Sequence, residues 1–353
     1  MPQPRPSPPR SVIGSLVVIA AVVGGTAAAF GYTAGWFSPD RITPNRMVDA
    51  FGPDTDARLG HRRNHAKGLC FTGSFEASGA GAALSRAQMM AQGSYPVVGR
   101  LNLGVTDPVA TDASARVRGM SLQVRTPDGG EWRSAMIDLP FFPVSTPQAF
   151  YGLMQASASK DPGAMPAFAA AHPELGNFGA WAKTAPWTGS FAEERYNSIN
   201  SFVFTDASGR NSTVRWSMQP EATPMPIPHE ELERRDASFL EGEIRQRLAS
   251  GPVRWRMTVT VANPGDPTAD PSKAWPEDRR TVEAGTLVLS AVQAEADGPC
   301  REINYDPTVL PDGMRTSDDP FPAARSAAYA KSFDRRTAES GHYPRTAAVG
   351  ARP

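Results

Sequence analysis

The sequence predicts an α+β protein: an antiparallel β-barrel of about eight strands with helical insertions, preceded by one apolar segment of transmembrane length. Three observations predict it. Apolar and β-branched runs separated by turn residues recur in two groups, on either side of an Ala-rich region. The 353 residues include 34 prolines and 31 glycines, as many loops and short strands require. An uncharged stretch from Ser11 to Pro39 follows Arg5 and Arg10.

The N-terminal stretch exceeds a signal-peptide core, which is about 7–15 residues long, and suits a membrane span of about 20. An uncleaved anchor over 11–37 is therefore expected, with a cleaved signal ending near Ala27-Ala28-Ala29 as the alternative. Basic residues ahead of the span leave residues 1–10 as a cytoplasmic stub and place the body on the extracytoplasmic (periplasmic) side. Tyr32 and Trp36 fall where interfacial aromatics belong. The body is expected to be one domain, 40–340, followed by a flexible tail over 341–353.

Within the body, "GLCFTGSFE", "YPVVGRLNLGV", "RGMSLQVRT" and "EWRSAMIDL" read as strands, with "TPDGGEW" as a turn between the last two. Residues 146–187 read as helical. Strands resume with "SFVFTDASG", "STVRWSMQP", "VRWRMTVTVA" and "RTVEAGTLVLSAV", and "HEELERRDASFLEGEIRQRLAS" reads as a helix among them. Strands joined by turns favour antiparallel pairing, and eight of them without an exposed edge favour closure.

Lys+Arg and Asp+Glu both number 36, and this balance argues against a nucleic-acid partner, which attracts a basic excess. Cys70 and Cys300 are too few for a disulfide framework or a metal site. They form either one bridge or, as their isolation favours, two unrelated buried thiols.

The last helix, in "SDDPFPAARSAAYAKSFDRRTAES", carries an unusual stripe. Arg325, Tyr329, Ser332 and Arg336 stand at i, i+4, i+7 and i+11. Such a stripe is either a solvated basic face or a binding face. In "RRNHAKGLCFTGSFE", His65 is either a structural histidine or a proton shuttle. His61, His172, His229 and His342 lie in polar or loop contexts and read as surface residues. "SASK", Ser157 to Lys160, matches the S-x-x-K of acyl-transfer enzymes but lacks their companion motifs, so it reads as a solvated helix end.

"RRNHAKG" followed by "GSFE" resembles the distal-histidine segment of haem catalases, and "RSAAY" fits the R-x-x-x-Y of their proximal tyrosine. "VVGRLNLG", "RGMSLQVRTPDGGEW" and "DPSKAWPEDRRTVEAGTLVLSAV" occur between them in the family's order. "FFPVSTPQAFY" and "PCREINYDPTVLPDG", in a short chain, are most similar to the catalase-related peroxidases, a minimal branch of the superfamily. The resemblance spans about Asp40 to Arg336.

The resemblance implies a catalase-like barrel holding haem (heme), with Tyr329 as the iron ligand and Arg325 as hydrogen-bond donor to its phenolate. It implies His65 as acid-base residue and Arg62, Arg100 and Arg336 as partners of the haem propionates. Arg63 and Arg335 would then be surface charges. Two departures accompany it. Asp138 aligns with the family's distal asparagine, beside Ile137, and Asn102 stands where a serine supports the distal histidine, so both join His65 as candidate catalytic residues. The implied activity is peroxidase chemistry on hydrogen peroxide or organic hydroperoxides with an unidentified organic reductant. The alternatives are a small true catalase and a non-enzymatic haem-binding protein. No NADPH is expected, since the domain that binds it in larger catalases is missing.

Overall fold

The computed structural model describes residues 10–34, 36 and 41–345. Nine of the ten residues of the expected N-terminal stub, and tail residues 346–353, lie outside the described residues.

An apolar helix α1 (Arg10–Thr33) comes first. Its stretch Gly14–Thr33 has a mean hydropathy of 1.9 and almost no burial, and suits a membrane anchor or a signal sequence alike. The short α2 (Pro44–Asp49) is capped by the Thr43 hydroxyl, which accepts from the Arg46 N–H.

Four antiparallel strands follow: β1 (Gly68–Ala77), β2 (Gly93–Leu103), β3 (Arg118–Arg125) and β4 (Glu131–Ile137). The helical insertion is α3 (Pro147–Ala158), α4 (Ala164–Ala171) and α5 (Leu175–Thr184). Then come β5 (Tyr196–Asn197), β6 (Phe202–Thr205) and β7 (Asn211–Pro220). The charged segment expected as one helix is two, α6 (His229–Leu232) and α7 (Phe239–Ala249). The Asp236 carboxylate accepts from the Ser238 N–H and turns the chain between them. The strands β8 (Val253–Val261), β9 (Thr281–Ala294) and β10 (Met314–Thr316) precede α8 (Phe321–Ala338).

The sheet closes. The order β7-β5-β4-β3-β2-β1-β9-β8 returns to β7 through a β7–β8 ladder, an eight-stranded barrel with β6 and β10 appended to β7. Closure leaves the ring without an edge. Its interior is filled by Phe71, Phe75, Leu101, Met120, Leu122, Trp132, Trp216 and Trp255, all nearly solvent-free. Trp132 and Trp216 meet edge to face at 5.3 Å, a geometry their quadrupoles favour.

Cys70 and Cys300 form a disulfide, with Cα atoms 5.3 Å apart, so the expectation of two unrelated thiols is corrected. Barrel closure brings β1 to the segment after β9, and spacing in sequence carries no trace of that approach. Residues 340–342 form a 3₁₀ turn, and the Tyr343 ring lies 3.9 Å from that of His61.

Candidate active site

The β1–β2–β3 register places Gly68 opposite Asn102, and Asn102 opposite Gly119. Arg100 and Asn102, two residues apart, emerge on one face of β2. Both glycines make room for them. A Cβ on Gly68 would sit 2.4 Å from the Arg100 guanidinium carbon, and one on Gly119 would sit 2.4 Å from Asn102 Oδ1. The Gly of the HAKG segment is thus the space that the guanidinium occupies.

His65 stands just ahead of β1 with a φ of 55°, a left-handed conformation that a non-glycine residue adopts at a cost. Asn64 Oδ1 accepts from its N–H at 2.9 Å, and the Arg63 N–H is donated to Ser332 Oγ on α8 at 3.3 Å. Ile199 is the other described non-glycine residue with positive φ, and both line one cavity. Strain of this kind collects at functional sites. Burial, reinforced by Arg100, pushes the imidazole down to about 4. Its Nδ1 and Asn102 Oδ1 are both buried without a hydrogen-bond partner, and Asn102 is the neighbour whose influence opposes the fall in pKa.

The helix α8 presents Arg325, Tyr329, Ser332 and Arg336 to the same cavity, of about 700 Å³. Arg325 donates to Tyr329 Oη at 3.1 Å, to Asn200 Oδ1 at 2.6 Å and to the Ala135 carbonyl at 2.8 Å. Asn200 in turn donates to Asp319 Oδ2 at 2.9 Å, and the other oxygen of Asp319 accepts from the Phe321 N–H at the start of α8. The chain Asp319–Asn200–Arg325–Tyr329 fixes the guanidinium against the phenol. Burial pushes the Asp319 carboxyl up, while its hydrogen bonds oppose the rise.

A third side of the cavity is cationic. Arg62, Arg100 and Arg336 line it, and Glu295 is the carboxylate they share. Glu295 accepts from Arg100 at 2.9 and 2.7 Å and from Arg62 at 3.2 Å. Burial alone would raise its carboxyl, but Arg100 and Arg62 hold it at about 2. Arg336 is bonded to the carbonyls of Arg301 and Ile303, and Arg62 to those of Cys300 and Ile303. Burial, and then repulsion by Arg62, pushes Arg336 down to about 9. Three cations against one carboxylate leave the region two positive charges in excess.

The structure gathers His65, Asn102, Arg62, Arg100, Arg325, Tyr329 and Arg336 around one cavity. Asp138 is not brought there. Ile137 and Leu139 line the wall on either side of it, while its carboxylate accepts from the Arg118 N–H at 3.1 Å and lies 3.8 Å from Arg116. Neighbours on a strand point to opposite faces, which turns Asp138 away when Ile137 faces in. Burial, with repulsion from Glu194, pushes its carboxyl up.

Arg63, expected at the surface, is 1% exposed and paired with Asp54 and Glu339. Arg335 pairs with Asp49 at 2.7 Å. His61 is partly buried against Tyr343, and burial lowers its pKa. His229 bonds the Ala113 carbonyl through Nε2. Glu295, Asn200 and Asp319 went unread in the sequence. The signal for Glu295 was an acid just past a long strand, in "SAVQAEADG", where a surface role is the ordinary one.

A family model described as Catalase matches residues 42–343. The chain is 32% identical over 325 residues to a protein named catalase-related peroxidase from Synechococcus elongatus, covering 90% of this chain and 96% of that one. It is 29% identical over 299 residues to another of that name from Mycolicibacterium paratuberculosis, covering 84% and 95%. Among solved structures, a bacterial catalase superposes with a TM-score of 0.70 at 18% identity, over 78% of this chain and 57% of that one. Catalase A from Saccharomyces cerevisiae gives 0.70 at 16%, over 78% and 61%. The chain spans less than two thirds of those two structures, and at that identity they show the fold alone.

Proposed function

The chain belongs to the catalase family, and from that premise we propose that it is a haem-dependent peroxidase, reducing hydrogen peroxide or organic hydroperoxides at the expense of an organic donor. The observation that carries the reading is that His65 and the Arg325-bonded Tyr329 line one cavity.

The residues fit a haem. Its two propionates match the two excess positive charges of Arg62, Arg100, Arg336 and Glu295, and arginine is the preferred partner of a carboxylate. Tyr329 is the phenol on the facing helix, and tyrosinate is the ligand of catalase haem. When bound, the haem supplies the iron that accepts the peroxide oxygen and stores its oxidising equivalents.

The chain's own residues do the rest. Arg325, held by Asn200 and the Ala135 carbonyl, points a permanent cation at the phenol oxygen and favours its anionic form. Arg62, Arg100 and Arg336 anchor the cofactor's edge. A proton on His65 Nδ1, directed at Asn102 Oδ1, satisfies both orphaned atoms and leaves Nε2 with its lone pair. With a pKa of about 4 the ring is neutral at pH 7, so Nε2 takes the peroxide's proton and returns it to the departing oxygen.

The test is the purified haem-loaded protein given peroxide with and without an oxidisable dye. Dye oxidation without oxygen release is expected. Rapid oxygen release from peroxide alone would make it a small catalase, and neither activity would leave a haem-binding protein. For location, we take α1 as an anchor holding the domain outside the cytoplasm. The Cys70–Cys300 disulfide supports this, since such bonds persist in oxidising compartments.

A further inference from the structure

We propose that Ile199 is a positioning residue for the bound haem: a strained turn holds its branched side chain against the cofactor, beside the Arg325–Tyr329 pair. The proposal rests on the haem reading and deepens it at one residue.

The segment Tyr196-Asn197-Ser198-Ile199-Asn200 runs off the end of β5. There the Asn200 N–H donates to the Ser198 carbonyl at 2.6 Å, an i→i+2 bond that closes a three-residue turn around Ile199. The φ of Ile199 is 61°, and a three-residue turn with a positive central φ is the rare, strained form. Glycine or asparagine takes that conformation at least cost. A β-branched residue is a true outlier there, because both of its Cβ branches crowd the backbone. Asparagines occupy positions 197 and 200 of this same segment, yet an isoleucine holds the strained position.

The turn is pinned on both flanks. Ser198 donates its N–H to the Trp216 carbonyl at 2.9 Å, and its Oγ accepts from the Trp216 N–H at 3.1 Å. Asn197 donates to the Leu139 carbonyl at 3.0 Å. On the other flank, Asn200 is fixed by Asp319 and Arg325. Strain persists where the surroundings over-determine it in this way.

The side chain that the strain carries has little to do in the fold itself. Ile199 is only 5% exposed, yet it joins none of the three hydrophobic clusters formed by the described residues. What it lines is the cavity, together with Asn200, Arg325 and Tyr329. A β-branched group has few rotamers to lose, so it makes a stiff apolar stop for a flat apolar ring. It stands one residue from the amide that fixes Arg325, so the stop and the hydrogen bond to the Tyr329 phenol share one support. A role confined to the backbone, in which the turn merely aims Asn200 at Arg325, predicts the opposite. Glycine at position 199 would then serve as well as isoleucine, or better.

The experiment compares the full wild-type chain with Ile199→Gly, Ile199→Asn and Ile199→Val. Glycine and asparagine relieve the backbone and remove the apolar stop, whereas valine keeps the branch. We expect the haem-free Tm of Ile199→Gly to be no lower than that of the wild type. Its transfer of haem to apomyoglobin should nevertheless be at least about ten-fold faster, since each buried methylene lost weakens binding about four-fold. The tyrosinate-to-iron charge-transfer band should shift as well. Ile199→Val, one methylene smaller, should stay within about four-fold of the wild-type transfer rate with an unshifted band. If the glycine variant is unstable, Ile199→Asn carries the same expectations. Unchanged haem transfer and an unchanged band in Ile199→Gly and Ile199→Asn overturn the proposal and leave the haem reading intact. A lower haem-free Tm in both, not recovered by valine, makes Ile199 an ordinary core residue and also overturns it. A wild-type chain that takes up no haem, or takes it up without a tyrosinate band, overturns both readings.

Discussion

Arg325 donates a 3.1 Å hydrogen bond to the hydroxyl of Tyr329, one helical turn away on α8. The two residues make different demands on a bound iron. Tyr329→Phe deletes the oxygen that would bind it, so haem should be lost or its spectrum should change to that of another ligand. Arg325→Ala removes only a donor, and the loss in haem affinity should stay within about 10–100-fold, the usual range for a supporting partner. Haem titration of both variants checks the order. An unchanged spectrum with stoichiometric haem in Tyr329→Phe would exclude it as ligand.

His65→Ala should keep haem and lower peroxidase turnover by about 10²–10⁴-fold, the scale of a lost acid-base group. Wild-type turnover in that variant would remove His65 from the mechanism.

The pH profile of the wild type gives an independent check. Burial places the His65 pKa at about 4, below its ordinary 6.5. The ring then stays neutral, and able to accept a proton, down to about pH 4, so the acid limb of kcat/KM should fall there. The sign for stability follows. The unfolded chain binds this proton first, so His65 makes the fold less stable as pH falls from 6.5 towards 4 and adds nothing further below that. An acid limb near 6.5 in the haem-loaded protein would contradict the buried imidazole.

Glu295→Gln should destabilise the haem-free protein by about 3–5 kcal/mol, because it strips the carboxylate from a buried cationic cluster. Haem should offset much of the loss, since its propionates restore negative charge. The increase in Tm on loading should then be larger than in the wild type, and an equal increase would argue against propionates at this edge.

Cys70→Ala with Cys300→Ala should cost about 2–5 kcal/mol. The Cys300 and Ile303 carbonyls hold Arg62 and Arg336, so haem retention should fall with it. Denaturation and haem-transfer rates measure the two effects separately.

The barrel was readable because its strands alternate and its turns are marked, and each strand read from the sequence is present. The site was readable where a residue's chemistry is carried locally, as in the HAKG segment and the Arg325–Tyr329 spacing. It was not readable where partners meet through closure. Glu295 directly follows β9 and meets Arg100 of β2 across 195 positions of sequence. Cys70 and Cys300 are joined for the same reason. Asp138 failed differently. It stands just past β4 with its carboxylate on the Arg118 N–H, while Ile137 and Leu139 on either side line the cavity.

The walls of the cavity are made at opposite ends of synthesis. His65, Arg100 and Asn102 emerge early, whereas Glu295, Arg325, Tyr329 and Arg336 emerge only after all eight strands of the ring. A growing chain therefore offers an incoming cofactor half a socket. If the cavity holds haem, its loading would wait until α8 has docked. If α1 delivers the chain across a membrane unfolded, the empty barrel meets its haem on the far side. The cell must then supply the cofactor there, as a separate traffic from the polypeptide.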